Sequence, residues 1–148
     1  MTRKIDDWAL TRLTAADYDA VRDLWEQAGL PIKPNGRDSA EQFARQVAGT
    51  QTVLGLYDGE RLVGVIVATH DERKGWLNRL AIHPDYRRQG LAQELIAAAE
   101  RELHDQGIHI IAALIEGWNK TSLALFQRAG YSVHPDIHYV TKRDHHDV

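Results

Sequence analysis

One short run of this chain has the composition of an anion site. His83-Pro84-Asp85-Tyr86-Arg87-Arg88-Gln89-Gly90-Leu91-Ala92 joins the end of a β-rich stretch to the most regular apolar periodicity in the sequence. A helix start leaves about four backbone N–H groups without partners and carries roughly half a positive charge. A phosphate placed there gains hydrogen bonds and a favourable field together. Gly90 lets a ligand approach the backbone closely, and Ala92 keeps a small side chain beside it. Between positions 73 and 88, Arg73, Lys74, Arg79, Arg87 and Arg88 stand against Asp85 alone, in a chain whose 18 Lys plus Arg and 21 Asp plus Glu sum to −3. The local sign favours a phosphorylated ligand. By residue type alone, a glycine near a helix start beside two arginines is also a common surface feature. The run contains neither G-x-G-x-x-G nor G-x-x-x-x-G-K-[ST], which counts against dinucleotide and nucleoside triphosphate loops.

The elements that must position this run can be read from period and punctuation. Thr14 and Asp17 form a capping-box pattern ahead of Tyr18, Val21, Leu24, Trp25 and Ala28, which predicts a helix over about 15–28 stopped by Gly29. The stretch 29–38 (GLPIKPNGRD) is a loop, and Ser39 opens a second helix reaching about Ala48. From Thr52 the period changes to that of strands, and Asp58-Gly59 marks a hairpin between two of them. A third strand over Trp76–Ile82 ends at His83-Pro84, because a residue before proline is pushed out of the helical region. Gly90–Gln106 is the clearest helix, with Leu91, Leu95, Ile96, Ala99 and Leu103 on one face. Ile108–Ile115 reads as a buried strand, Asn119–Ala129 as a short helix, and Tyr131–Lys142 as one or two final strands interrupted at Pro135.

The composition bounds the function from outside. With 148 residues, 43% hydrophobic and 26% charged, the chain is expected to be a single globular domain over 1–148. A net charge of −3 offers no global attraction to nucleic acid or to an anionic membrane. The absence of cysteine removes disulfides, iron–sulfur clusters, thiol catalysis and cysteine-ligated zinc. No apolar stretch is long enough to span a bilayer, and Met1–Asp7 has no apolar core of a secretory signal; the expected setting is cytoplasmic. No metal site is expected. His134 and His138 are separated by Pro135, His104 and His109 straddle Gly107, and His145-His146 sit in a polar tail. His70, Asp71 and Glu72 read as a solvated turn.

The residues from Leu80 to Ala92 resemble the acetyl-CoA-binding segment, [QR]-x-x-G-x-[GA], of the GNAT (GCN5-related) N-acetyltransferases, with Arg87, Gly90 and Ala92 at its defining positions. The stretch Asn119-Lys120-Thr121-Ser122-Leu123-Ala124-Leu125-Phe126-Gln127-Arg128-Ala129-Gly130-Tyr131 resembles the second signature of the same family. The resemblance is strongest from Trp76 to Tyr131, weakest before Thr52, and closest to small bacterial single-domain members. It implies an α/β fold with a mixed, mostly antiparallel sheet of six or seven strands, helices on both faces, and acetyl-CoA in a split between the strands ending at Ile82 and near Glu116. By this likeness the backbone of Arg87, Arg88, Gln89, Gly90, Leu91 and Ala92 holds the pyrophosphate. Leu80 and Ile82 pair with the pantetheine arm, Asn119 and Phe126 contact the cofactor further along, and the N–H of Ile82 polarises the thioester.

The acid–base residues are less determined. Many relatives carry a tyrosine general acid at the position of Phe126, and a phenyl ring donates no proton. Three routes remain: the thiolate leaves unprotonated, since a thiol of pKa about 8.5 permits it; Tyr139 or a water substitutes; or the chain is a non-catalytic acyl-CoA-binding sensor or partner module. Tyr131 matches a residue that packs. Glu116, ending the strand Ile108–Ile115, is the first choice of general base, against a plain surface glutamate. Lys33 and Arg37, the only charges of the loop from Gly29 to Arg37, would overhang the amine and favour an acceptor with a carboxylate or phosphate. Trp25 joins them as an acceptor-side candidate, and Trp118 could line the cleft. The implied acceptor is an amine of a small molecule or peptide; a homodimer is an open possibility, and no membrane or nucleic acid partner is expected.

Overall fold

A computed structural model describes residues 8–146; the leader reading of Met1–Asp7 lies outside them. The Asp58-Gly59 hairpin forms as its sequence demands, with Gly59 at φ 61° between β2 (Thr52–Asp58) and β3 (Arg61–His70). Around this pair the sheet is built in chain order. β1 (Ala9–Arg12) runs antiparallel to β2, β4 (Gly75–Ile82) antiparallel to β3, and β5 (Ile111–Ala113) parallel to β4. β3 is buried nearly throughout, as a central strand covered on both faces must be.

The helices divide between the two faces. Thr14 and Asp17 close the expected capping box over a 3-10 turn (Ala15–Asp17), from which α1 (Tyr18–Gln27) continues. Ser39 accepts the Gln42 N–H at 3.2 Å and starts α2 (Ala40–Ala48). These helices bury Val21, Leu24, Trp25 and Phe43 against Val53, Val65, Val67 and Ala81. On the opposite face, α3 (Leu91–Asp105) and α4 (Lys120–Arg128) contribute Leu91, Leu95, Ile96, Leu103 and Phe126 to a core with Leu54, Leu56, Val63 and Leu77. Gly64 allows α3 to sit close: a Cβ there would stand 2.9 Å from Leu95 Cδ1.

Two expectations change. β5 occupies only Ile111–Ala113 of the stretch Ile108–Ile115, because only those residues have a paired neighbour in β4. The sheet has five strands, not six or seven, among the described residues. Tyr131–Lys142, rich in β-formers, pairs with no strand among the described residues. No helix among the described residues is long and apolar enough to cross a membrane.

Candidate active site

The strand-to-helix corner is braced from below. His83, 6% exposed, accepts the Asp85 N–H at 3.1 Å and so caps the 3-10 turn Pro84–Tyr86. The Tyr86 hydroxyl donates to Asp58 at 2.7 Å, while its ring stands edge-on to Trp8. From this brace the chain passes through Arg88 at φ 64° and Gly90 at φ 81° into α3. A left-handed arginine is strained, and such strain persists only where the surroundings impose it.

The result is a row of free donors. Among the described residues, no backbone N–H from Arg87 to Gln93 donates to a protein acceptor; the first that does beyond Tyr86 is Glu94, to Gly90 at 3.1 Å. Gly90 brings no side-chain cap, and a Cβ built on it would meet nothing within 4 Å. Arg87 and Arg88 are exposed beside it. Such a row of amides at the start of a 15-residue helix has the donors and the dipole that favour an anion. This is an observed property of the residues that the sequence pattern singled out.

The cradle opens onto a split in the sheet. β4 and β5 pair only from Gly75 to Leu77, so the later half of β4 has no strand on its outer side among the described residues. Which backbone groups face that gap is decided by a bulge. β4 advances from Asn78 to Ala81 while β3 passes from Val67 to Val65, and the extra residue, Arg79, sits at φ 55°. The Gly75 N–H points toward β5, donating to Ile110 at 2.8 Å. After the bulge, His83 N–H donates to Val63 at 2.8 Å, so Ala81 faces β3 as well, and the N–H groups of Leu80 and Ile82 face the gap. Were Arg79 a regular strand position instead of a bulge, the alternation from Asn78 would have turned those two amides toward β3.

Arg79 also holds the loop between α1 and α2. Its guanidinium lies 4.3 Å from the centre of the Trp25 ring, donates to the Pro31 carbonyl at 2.8 Å and stands 3.8 Å from Asp38. Burial lowers its pKa; Asp38 opposes that and Arg37 reinforces it. Asp38 in turn accepts the Lys33 N–H at 2.8 Å, and its carbonyl accepts the Tyr18 hydroxyl at 2.6 Å. The loop is therefore folded on itself and tied to α1 and β4. Arg37 is exposed and Lys33 half-buried on it.

Other sequence-predicted residues are placed less as expected. Trp25, assigned to the acceptor side, is 3% exposed and packs edge-on to Phe43, because the apolar stripe of α1 turns it to the core; Arg79 covers it. Glu116 lies beyond β5 rather than on it, exposed, with its carbonyl accepting the Asn119 N–H at 2.9 Å. Asn119 Oδ1 caps α4 through the Ser122 N–H at 3.2 Å, a bond that does not use its NH₂ group. Phe126 is 6% exposed, 5.1 Å edge-on to Tyr131. The Tyr131 hydroxyl donates to Glu100 at 2.9 Å, and burial, with Glu100, raises its pKa well above the ordinary tyrosine value. It holds its proton and packs, as its position implied. Tyr139 and Trp118 are 71% and 77% exposed. The cations near the motif disperse: Arg73 and Lys74 belong to the β3–β4 turn, where with Asp71, Trp76 and Ile110 they line a shallow depression of about 220 Å³ at the other end of β4. Sequence reasoning missed Arg79 and His83 as supporting residues. A proline after His83 hinted at the corner, whereas nothing in the sequence marks an arginine as a bulge.

A row of free amides at the start of α3, beside a strand whose amides face a gap in a mixed sheet, is the arrangement that the resemblance to acyl-CoA-dependent transferases implies. The chain belongs to the acetyltransferase (GNAT) family, whose model matches residues 11–131, and the family co-substrate is acetyl-CoA. An acetyltransferase of Sodalis glossinidius is 27% identical over 129 residues, which span 86% of this chain and 89% of the relative. Among solved structures, AAC(6')-Iy in complex with a CoA-containing bisubstrate analogue superposes with a TM-score of 0.76 at 19% identity, covering 92% of this chain and 98% of that one. The ribosomal-protein-S18-alanine N-acetyltransferase of Escherichia coli gives 0.71 at 21% identity, covering 83% and 76%. These structural likenesses establish the fold.

Proposed function

We propose that the protein transfers an acetyl group from acetyl-CoA to an amine of a small molecule or peptide by direct attack in a ternary complex. The observation that carries this reading is the uninterrupted row of free N–H groups from Arg87 to Gln93 beside the gap faced by Leu80 and Ile82. In this reading the row binds the pyrophosphate, and the Asn119 amide contacts the cofactor further along. The Ile82 N–H donates to the thioester oxygen, a type of contact worth roughly 3 kcal/mol in other systems. Glu116 takes the proton of the attacking amine, directly or through a water. With Phe126 apolar and the Tyr131 proton held by Glu100, the thiolate leaves without a protein acid. Acetyl-CoA as co-substrate is the argument for a cytoplasmic enzyme.

The acceptor side supports an anionic group next to the amine. Lys33, Arg37 and Arg79 bring three cations to the loop against Asp38, whereas a polyamine would call for acids there. The test is thiol release with a panel of amines, each amino acid or peptide paired with its carboxamide, in wild type and Arg37→Ala. Preference for the carboxylate member, lost in the variant, is expected. Preference for cationic polyamines overturns the acceptor reading, and CoA binding without thiol release from any amine would assign the chain as a binding module.

A further inference from the structure

The sheet face that carries α1 and α2 is covered over only part of its width. Strand pairing fixes which side chains lie on it. Val65 and Val67 pack under the two helices, so Thr69, two residues further along β3, shares their face, and so does its partner in β4, Trp76. Gly75 gives the same parity from the other side, since a Cβ there would meet Leu103 and Ile108 of the core under α3. Trp76 pairs in turn with Ala112 of β5. Ile110, Ala112 and Leu114 therefore continue this face, while Ile111, Ala113 and Ile115 pack against the α3 side. The core under α1 and α2 takes residues from β2, β3 and β4 but none from β5, and not Trp76. Ile110 is 59% and Leu114 56% exposed, and Thr69, Trp76, Asn78 and Ala112 are half-buried.

This uncovered part is a shelf that leads to the gap. Leu114 follows Ala113, the last residue of β5 paired with β4, so it stands where the gap begins. The Arg79 side chain, next in sequence to Asn78, holds the loop with Lys33 and Arg37 on this same side of the sheet, since it lies on Trp25 of α1. At the far end Lys74 lies 5.5 Å from the centre of the Trp76 ring, and Trp76 and Ile110 help line the depression of about 220 Å³. Between the ends the surface dips, because Ala112 is the small residue between Ile110 and Leu114, with Trp76 about 4.8 Å away across the ladder. We propose that this shelf receives the side chain of the acceptor, and that the acceptor is an α-amino acid with a long apolar side chain, aromatic or unbranched. Resting on the acetyl-transfer reading above, this puts the carboxylate at the loop cations and the amine in the gap. The side chain then runs over Leu114 onto Ala112 and Trp76. There an apolar chain covers exposed apolar surface, whereas a polar chain loses water without gaining a partner. A flat ring or a straight chain fits the dip over Ala112, and a polyhydroxylated amine gains nothing from such a floor.

Binding and turnover test this separately. Alanine, norleucine, phenylalanine and tryptophan, with glutamine and lysine as polar chains of similar length, are titrated calorimetrically into the CoA-loaded full chain, then assayed for thiol release from acetyl-CoA. In wild type Kd is expected to fall about tenfold or more from alanine to the long apolar chains, and not to fall for glutamine. Ala112→Phe fills the dip, and the preference is expected to shrink to about one. CoA alone still raises Tm in this variant as in wild type, because no amide at the start of α3 is touched. Leu114→Asp is expected to turn the preference toward lysine, a change that a merely structural role for Leu114 would not produce. Equal binding of all side chains, a wild-type preference for glutamine or lysine, no binding of any amino acid, or a preference that survives both variants overturns the shelf. Selective binding without thiol release supports the shelf and overturns the acetyl-transfer reading, whereas thiol release from all these amino acids alike does the reverse.

Discussion

Replacing Gly90 separates the cost of the backbone from the cost to the ligand. Gly90 sits at φ 81°, and a Cβ there meets nothing within 4 Å. In Gly90→Ala the only folding penalty is therefore the left-handed conformation itself, about 1 kcal/mol, which lowers Tm by about 2–4 °C in a protein of this size. Gly90→Glu carries the same backbone penalty but places a carboxylate among the free donors at the start of α3, where a negative charge regains about 0.3–1 kcal/mol. The glutamate variant without ligand is thus expected to melt at or above the alanine variant. Its response to CoA is the opposite. In wild type, CoA at a hundred times its Kd contributes about 2.7 kcal/mol, a rise of roughly 5–11 °C. In Gly90→Glu the carboxylate occupies and repels the pyrophosphate position, and the rise is expected to vanish. The assay is thermal melting with and without CoA for the three proteins. A full CoA response in Gly90→Glu would refute the cradle, and a glutamate variant that unfolds while the alanine variant is intact would refute the electrostatic argument.

Arg79→Ala is expected to leave the CoA-induced rise in Tm intact while raising the KM for the amine several-fold, since it releases the Pro31 and Asp38 contacts of the loop but no cradle amide; steady-state kinetics with both substrates varied checks it. Tyr131→Phe is expected to lower stability by about 1 kcal/mol through the lost Glu100 hydrogen bond without changing kcat, measured by denaturant melts and thiol release. Tyr57 is pushed up to about 12 by burial, helped by its hydrogen bond to Asp17. The folded state holds that proton where the unfolded chain has lost it, so the contribution is intact below pH 10 and disappears as pH rises towards 12. Tyr57→Phe is expected to fall less steeply in Tm than wild type across that window.

The sequence shows local signals well and long-range choices poorly. Caps, the hairpin and the helix stops are determined within a few residues, and Thr14, Ser39, Asp58-Gly59 and Asn119 all act where their types predict. The helix start with its free amides was legible for the same reason: a glycine, two arginines and the first residues of α3 lie within six residues of each other. The ends of strands were not. Ile108–Ile115 and Tyr131–Lys142 have strand composition, yet a residue joins a sheet only if a neighbour is within reach, and that depends on the path of the whole chain. The burial of Trp25, assigned to the acceptor side, was hidden for a related reason. Its place on the apolar stripe of α1 was evident, but the residue that would cover its outer face, Arg79, is 54 positions away.

Arg79 connects the two halves of the proposed reaction in a way that neither motif displays. As the extra residue of β4 it sets the parity that turns the Leu80 and Ile82 amides toward the gap. As a side chain it fixes the loop that bears Lys33 and Arg37. The backbone strain of a left-handed arginine is thus offset by contacts that only a long, planar cation supplies: stacking on Trp25 at 4.3 Å while reaching the Pro31 carbonyl at 2.8 Å. A glycine would relax the bulge but free the loop, and a lysine would keep the charge but not the planar stacking on Trp25. In the proposed reaction, the bulge that presents the amides assigned to the thioester and the anchor of the loop assigned to the acceptor are therefore one residue, so a single local structure would set the acetyl donor and the amine relative to each other.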